Sequence, residues 1–368
     1  MIPCDGSPAA VAELRGALAA VLDGRAVLAP LGPGDTAPSS GVEPGHVVVT
    51  TSGSSGEPKR VLLTAAALRA SATATHERLG GAGSWLLALP AHHVAGIQVL
   101  VRSALAGTVP GVLDLRGGFD PAAFAAATTA LPGTRRYTSL VPTQLLRLLD
   151  VDPGALTTFD AVLLGGAAAA PALVARARAA GVAVVTTYGM SETCGGCVYD
   201  GLPLDGVQVR VDAAGRIELA GPVLASGYLR RPDDPAFRDG WFRTADLGAL
   251  AADGRLQVLG RVDDVIITAG VNVAPAVVEA ALAVDPAVAA VCVVGIPDPQ
   301  WGQRVIAAVV PADAGRPLDT DAVLAEARRR LDGAHTPKQV VVVSSLPLRG
   351  VGKPDRRAVA ELVRRALG

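Results

Sequence analysis

Apolar runs that end in glycine or proline alternate with Ala/Arg/Leu segments of helical period through the first 200 residues. Val47–Val49, Trp85–Leu89, Val109–Leu113, Ala161–Leu164 and Val182–Thr186 predict buried strands, because strands covered on both faces show runs rather than alternation. Between them Ala65–Leu79, Pro121–Ala130, Thr143–Asp150 and Pro171–Ala180 predict helices, with Thr64 and Pro171 as start signals. Strand and helix in alternation imply α/β layers, with a parallel sheet and crossover helices.

From Gln208 the texture changes to short strands separated by turns: Val207–Val211, Arg216–Leu219, Gly240–Phe242 and Leu256–Leu259. This predicts a smaller β subdomain. After Arg261-Val262-Asp263-Asp264 the order becomes helix, strand, strand, helix, strand over Pro275–Ala283, Val288–Gly295, Val305–Val310, Thr320–Leu331 and Gln339–Val343. The expected organisation is α/β: a large N-terminal layered α/β domain with a β subdomain, residues 1–262, and a small C-terminal α+β domain, residues 263–368.

Half of the 368 residues are apolar, enough for full cores, and 33 basic against 34 acidic residues give a net charge of −1. Neither nucleic acid nor an anionic membrane would find an electrostatic footprint on such a chain, so small-molecule chemistry is expected. The start lacks a signal-peptide pattern, and uncharged stretches such as Leu79–Val101 are interrupted by Gly, Pro and His, which predicts no membrane insertion and a cytoplasmic protein. Four cysteines are too few for a disulfide scaffold, and the Cys194-Gly195-Gly196-Cys197 pair lacks the second close pair that a structural zinc would want.

The chemistry begins at Thr50-Thr51-Ser52-Gly53-Ser54-Ser55-Gly56-Glu57-Pro58-Lys59, directly after the apolar run Val47-Val48-Val49. Glycines allow close approach to a ligand, hydroxyls and freed N–H groups surround phosphate oxygens, and lysine adds a point charge. Pro58 before the lysine excludes the common G-x-x-x-x-G-K-[ST] loop. Downstream, Gly165-Gly166-Ala167 at a strand end would let a base lie against the backbone, and Tyr188-Gly189-Met190-Ser191-Glu192-Thr193 supplies an aromatic ring, a glycine, a carboxylate and hydroxyls. Glu192 is a candidate Mg²⁺ ligand, since that ion takes one or two carboxylates together with substrate phosphates. Thr244-Ala245-Asp246, then Arg261, Asp263 and Gly270, place an arginine and acids at the domain junction, and Gly350-Val351-Gly352-Lys353 offers a lysine in a glycine loop.

Taken in order, these motifs resemble the adenylate-forming superfamily of acyl-CoA synthetases, luciferase-like enzymes and carrier-loading adenylation domains, from about Val47 to the end. Leu89-Pro90-Ala91-His92-His93-Val94-Ala95-Gly96, Ser139-Leu140-Val141-Pro142-Thr143 and Leu346–Pro354 are most similar to the o-succinylbenzoate–CoA ligases of menaquinone biosynthesis, in their short actinobacterial form. The resemblance implies an acid–thiol ligase using ATP, Mg²⁺ and coenzyme A, with a carboxylic acid substrate and an acyl-adenylate intermediate. Another acyl-CoA synthetase or a carrier-loading enzyme stays open as the alternative.

Carried onto this chain, the resemblance assigns Lys353 to the carboxylate and α-phosphate, and Thr51, Ser52, Gly53, Ser54, Ser55, Gly56 and Lys59 to the outer phosphates. It assigns Glu192 to Mg²⁺, Gly165, Gly166, Ala167, Tyr188 and Gly189 to the adenine side, Thr193 to the α-phosphate, and Asp246 with Arg261 to the ribose. Asp263 becomes the hinge of a mobile C-terminal domain, Gly270 and Trp301 contact coenzyme A, and His93 lies by the acyl group. A homodimer is left open. Two departures stand out: Arg60 follows the loop lysine where glycine is usual, and Ala245 replaces a glycine. A second substrate carboxylate needs a cation, for which Arg102, Arg135 and Arg136 are unranked candidates.

Overall fold

The computed structural model describes residues 1–38, 41–51, 59–313, 315–349 and 353–367, with Arg349 and Lys353 as backbone only. Among these residues a seven-stranded sheet runs in the order Leu202–Pro203, Gly195–Tyr199, Val184–Met190, Ala161–Leu164, Arg136–Leu140, Ser84–Leu87, Gly111–Val112. The last five strands are mutually parallel, whereas Gly195–Tyr199 runs antiparallel to them and Leu202–Pro203 antiparallel to Gly195–Tyr199. All four residues of Ala161–Leu164 are buried, as a strand covered on both faces requires. The helices Pro121–Ala130, Pro142–Val151 and Pro171–Ala179 cover one face around Phe124, Leu145, Leu148 and Leu156. Ala65–Arg78 and Val94–Leu105 cover the other, where the Trp85 and Tyr137 rings pack tilted with centroids 5.0 Å apart.

One correction concerns the strand before the Ser/Gly loop. His46–Thr51 is not part of the parallel sheet; it pairs antiparallel with Lys59–Thr64 in a separate sheet ordered Gly227–Tyr228, Lys59–Thr64, His46–Thr51, Val27–Leu28. Val61 and Leu63 are buried while Leu62 and Thr64 are less so, the period-2 pattern of a strand packed on one side. Thr64 closes this strand and caps the next helix, its hydroxyl accepting from Ala67 N at 3.0 Å, a bond worth about 1 kcal/mol.

The β subdomain is an antiparallel sheet of Gln208–Val211, Arg216–Ala220, Trp241–Leu250 and Phe237–Arg238, with Leu256–Arg261 also on Trp241–Leu250. A short 3-10 turn, Val262–Asp264, follows. Beyond it a second unit builds its own sheet from Val271–Val273, Ile266–Thr268, Gly302–Pro311 and Val288–Asp298, joined by Gln339–Val342 parallel to Gly302–Pro311. Pro275–Leu282 and Thr320–Arg330 bury Val278, Leu282, Val323 and Ala327 on one face, and Arg356–Leu367 buries Val359 and Val363 on the other. Arg356 ties this last helix inward, donating to both Glu279 oxygens and, at 3.1 Å, to Asp264 Oδ2.

Candidate active site

Ala161–Leu164 ends in Gly165-Gly166-Ala167, and the adjoining Val184–Met190 ends in Tyr188, Gly189 and the 3-10 turn Ser191–Thr193. Both are C-terminal ends of neighbouring parallel strands, the edge at which open α/β sheets bind ligands. A Cβ at Gly165 would lie 2.3 Å from Thr187 Oγ1 and one at Gly189 2.1 Å from the Gly195 carbonyl oxygen, so close packing holds both positions to glycine. The register against Gly195–Tyr199 shifts between Tyr188 and Gly189, a bulge that re-aims the side chains at the strand end.

Tyr188 then reaches a residue 58 positions away: its hydroxyl donates to Asp246 Oδ2 at 2.8 Å. Asp246 stands opposite Arg261 in the antiparallel pair, and Arg261 donates to Asp246 Oδ1 at 3.3 Å and to Asp263 Oδ2 at 3.2 Å. Burial first, and then the Asp246 charge, push the Tyr188 phenol well above its ordinary range, so it remains a donor. The carboxylate is thereby fixed with its side chain 14% exposed, close to the 3-10 turn Val262–Asp264.

A second cluster surrounds Glu192. The Tyr228 hydroxyl donates to Glu192 Oε1 at 2.8 Å, and Lys59 Nζ lies 4.4 Å from the centre of the Tyr228 ring. Lys59 is also 3.9 Å from Asp234 Oδ2, and it pairs with Thr51 across the hairpin, whose hydroxyl donates to the Lys59 carbonyl. Burial, then Glu192, push the Tyr228 phenol up as well. Glu192 Oε2 has no hydrogen bond among the described residues, which fits a hard Mg²⁺ ion held by one carboxylate and substrate phosphates. Among the described residues no group of three or more His, Cys, Asp or Glu could hold a metal by itself. Cys194 and Cys197 are free buried thiols, and burial pushes Cys197 up to about 12.

His93 ends the loop after Ser84–Leu87 and stands at the N-cap of Val94–Leu105, its ring 4.2 Å from that of His92. It therefore shares the strand-end edge with Tyr188 and Gly165. Thr193 does not offer its hydroxyl to that edge. It is fully buried, accepts from Met190 N at 2.9 Å and donates to the Gly195 carbonyl at 2.7 Å, so it holds the turn. Ser191, in the same turn, is partly exposed.

Arg60 turns one guanidinium nitrogen onto the Thr36 carbonyl and hydroxyl, at 3.0 and 2.8 Å. Arg135 and Arg136 sit at the N-terminal end of Arg136–Leu140, opposite to the ligand edge, since a parallel strand puts its two ends on different rims of the sheet. Arg102 lies inside the domain, 4.9 Å over the Trp85 ring with one N–H on the Tyr199 hydroxyl at 3.3 Å. Gly270 turns the hairpin Ile266–Thr268/Val271–Val273, and Ala269 N donates to the Trp301 carbonyl at 2.8 Å, while Lys338 Nζ covers the Trp301 ring at 4.6 Å. Among the described residues, these two share no hydrogen bond with the Tyr188 or Glu192 clusters. Lys353 lies in the hairpin Leu348–Arg349/Lys353–Pro354; its side chain, and Ser52, Gly53, Ser54, Ser55 and Gly56, lie outside the described residues. Sequence reasoning missed Tyr228 as the partner of Glu192; an aromatic after Gly227, followed by two arginines, was the available signal.

The AMP-binding enzyme family matches residues 35–229, and the AMP-binding enzyme C-terminal domain matches residues 277–353. A probable 2-succinylbenzoate–CoA ligase of Mycobacterium tuberculosis is 53% identical over 329 residues, which cover 88% of this chain and 85% of that protein. Among solved structures, the o-succinylbenzoate–CoA synthetase of Bacillus subtilis in complex with its acyl-adenylate intermediate superposes with a TM-score of 0.75 at 29% identity, over 85% of this chain and 68% of that one. The same enzyme in complex with ATP and magnesium ion gives 0.74 at 27% identity, over 89% and 74%. Among the described residues no helix is long and apolar enough to cross a membrane.

Proposed function

The chain belongs to the AMP-binding enzyme family, and from that premise we propose that it ligates 2-succinylbenzoate to coenzyme A through an acyl-adenylate, releasing AMP and pyrophosphate in the cytoplasm. A free carboxylate is a poor acyl donor because its leaving group would be oxide. Transfer to the α-phosphate of ATP replaces that leaving group with AMP, after which a thiol can attack the acyl carbon.

The observation that carries this reading is the pair of fixed carboxylates around the end of Val184–Met190: Asp246 held by Tyr188 and Arg261, and Glu192 held by Tyr228. Two acceptors on Asp246 suit the vicinal hydroxyls of a ribose, with Tyr188 beside the base. Glu192 would hold Mg²⁺, whose charge offsets that of the phosphates when bound. Ser191 replaces Thr193 as the hydroxyl offered to the α-phosphate, Lys59 faces the outer phosphates, and Gly165–Ala167 forms the floor beneath the adenine. Lys353 supplies the cation that lets two anions, carboxylate and α-phosphate, approach each other, an effect worth a few kcal/mol at a well-placed donor. Rotation about Asp263 would then withdraw Lys353 and bring Gly270 and Trp301 to the thiol substrate.

Pyrophosphate release from Mg·ATP, measured with a panel of carboxylic acids with and without coenzyme A, tests the proposal. Turnover with 2-succinylbenzoate that yields its thioester is the expected result. Turnover confined to another acid would overturn the substrate while keeping the chemistry, and absence of acid-dependent release would overturn both.

A further inference from the structure

Beside the Glu192 cluster, Lys59, Arg60, Tyr228, Leu229, Arg230 and Arg231 line an open groove of about 200 Å³. None of the residues proposed for adenine or ribose lines it, and its composition is one-sided. Four of its six residues are cationic, and the Tyr228 hydroxyl is already committed to Glu192. Asp234, 3.9 Å from Lys59 Nζ, offsets one of these charges. Arg60 is occupied in holding Thr36 and Ala37, so it fixes the wall of the groove.

Arg230 is the unusual member. Arg231 N donates to the Tyr228 carbonyl at 3.1 Å, which makes Tyr228–Arg231 a tight turn, and its third residue, Arg230, has φ +65°. Glycine takes that left-handed position without penalty, whereas an arginine there is strained. Its side chain is exposed and has no hydrogen bond or ion pair among the described residues. A strained backbone position that presents an unpaired cation to a groove of cations is the pattern expected of a ligand site rather than of a turn chosen for stability. The groove is smaller than the roughly 300–1,000 Å³ of pockets that enclose whole cofactors, so it suits a compact anion and not a nucleoside.

We propose that this groove binds inorganic pyrophosphate as it leaves, with Arg230 as a phosphate-binding residue opposite Lys59; the assignment rests on the adenylating function given above. Pyrophosphate must depart before the thiol step, and cations placed just beyond the nucleotide site keep its charge compensated along the way out. The same chemistry would also suit the 3′-phosphate of coenzyme A, and the experiment separates the two.

Inorganic pyrophosphate is titrated calorimetrically into the full chain, without ATP or acid, for wild type and for Arg230→Ala, Arg230→Gly and Arg230→Lys. Because glycine relaxes the φ +65° turn while removing the cation, a loss of binding in Arg230→Gly cannot be ascribed to misfolding. Alanine and glycine are each expected to weaken binding about tenfold or more, and lysine to retain most of it. Equal affinity in wild type and Arg230→Gly, or no pyrophosphate binding by wild type, overturns the proposal. In a parallel arm, coenzyme A and its 3′-dephospho form are titrated into the same proteins. An unchanged ratio between them supports the pyrophosphate assignment; weakened coenzyme A binding with pyrophosphate binding intact transfers the groove to the 3′-phosphate and overturns it. Failure of the functional reading would show separately, as absence of acid-dependent ATP–pyrophosphate exchange in wild type.

Discussion

Replacing Tyr228 by phenylalanine isolates one hydrogen bond of the site. The ring stays where it is: buried, edge-on to Phe237 at 5.4 Å and beneath Lys59 Nζ at 4.4 Å. Only the hydroxyl that donates to Glu192 Oε1 at 2.8 Å is lost. A hydrogen bond to a charged acceptor contributes about 1.5–3 kcal/mol, and Glu192 is partly exposed, so water recovers some of it. A net loss of about 1.4 kcal/mol in the positioning of the carboxylate corresponds to roughly tenfold. The expected result is a roughly tenfold rise in the Mg²⁺ concentration giving half-maximal acid-dependent pyrophosphate release, with a much smaller change in the saturating rate. Because burial and Glu192 keep the phenol protonated well beyond its ordinary range, the ratio of variant to wild type is expected to be constant from neutral to mildly alkaline pH. Glu192→Gln is the reference for complete loss of the metal ligand. Mg²⁺ dependence unchanged in Tyr228→Phe but altered in Glu192→Gln would refute the idea that this hydroxyl sets the carboxylate for the metal.

Lys353→Ala is expected to abolish acid-dependent pyrophosphate release while thioester formation from supplied acyl-adenylate continues; equal loss in both half-reactions would refute the role given to that cation. Arg102→Met is expected to raise stability by about 1–2 kcal/mol in urea denaturation, because the buried guanidinium has no acidic partner among the described residues and its Nε is unpaired. Tyr199 keeps Thr75 at 3.0 Å in that variant, and a clear loss of stability would mean that the cation is compensated. Burial, then Arg102, push His76 from 6.5 down to about 4, so the folded chain holds it neutral while the unfolded chain takes up a proton. Its contribution is complete above pH 6.5 and is lost as pH falls toward 4, and His76→Asn is expected to flatten that part of the stability profile measured by denaturant midpoints.

The elements legible in the sequence were those whose pattern is local. Ala161–Leu164 and Pro121–Ala130 fall where apolar runs and a helix-opening proline put them, and Thr64 caps its helix as its position suggests. The helix Val94–Leu105 was not read, because Gly96 and the β-branched Val94, Ile97, Val99 and Val101 give it a weak local preference for helix over strand. The motifs carried the family and its fold, since glycines, hydroxyls and single charges in order survive without any three-dimensional information. Tertiary structure decided which of those groups meet. Tyr188 finds Asp246 across 58 residues and Tyr228 finds Glu192 across 36, distances over which no periodic signal extends. Strand direction, which is set by the crossovers, sent Arg135 and Arg136 to the far rim of the sheet. A turn's need to satisfy its own backbone committed the Thr193 hydroxyl to Met190 and Gly195, because a buried N–H must find an acceptor within the fold.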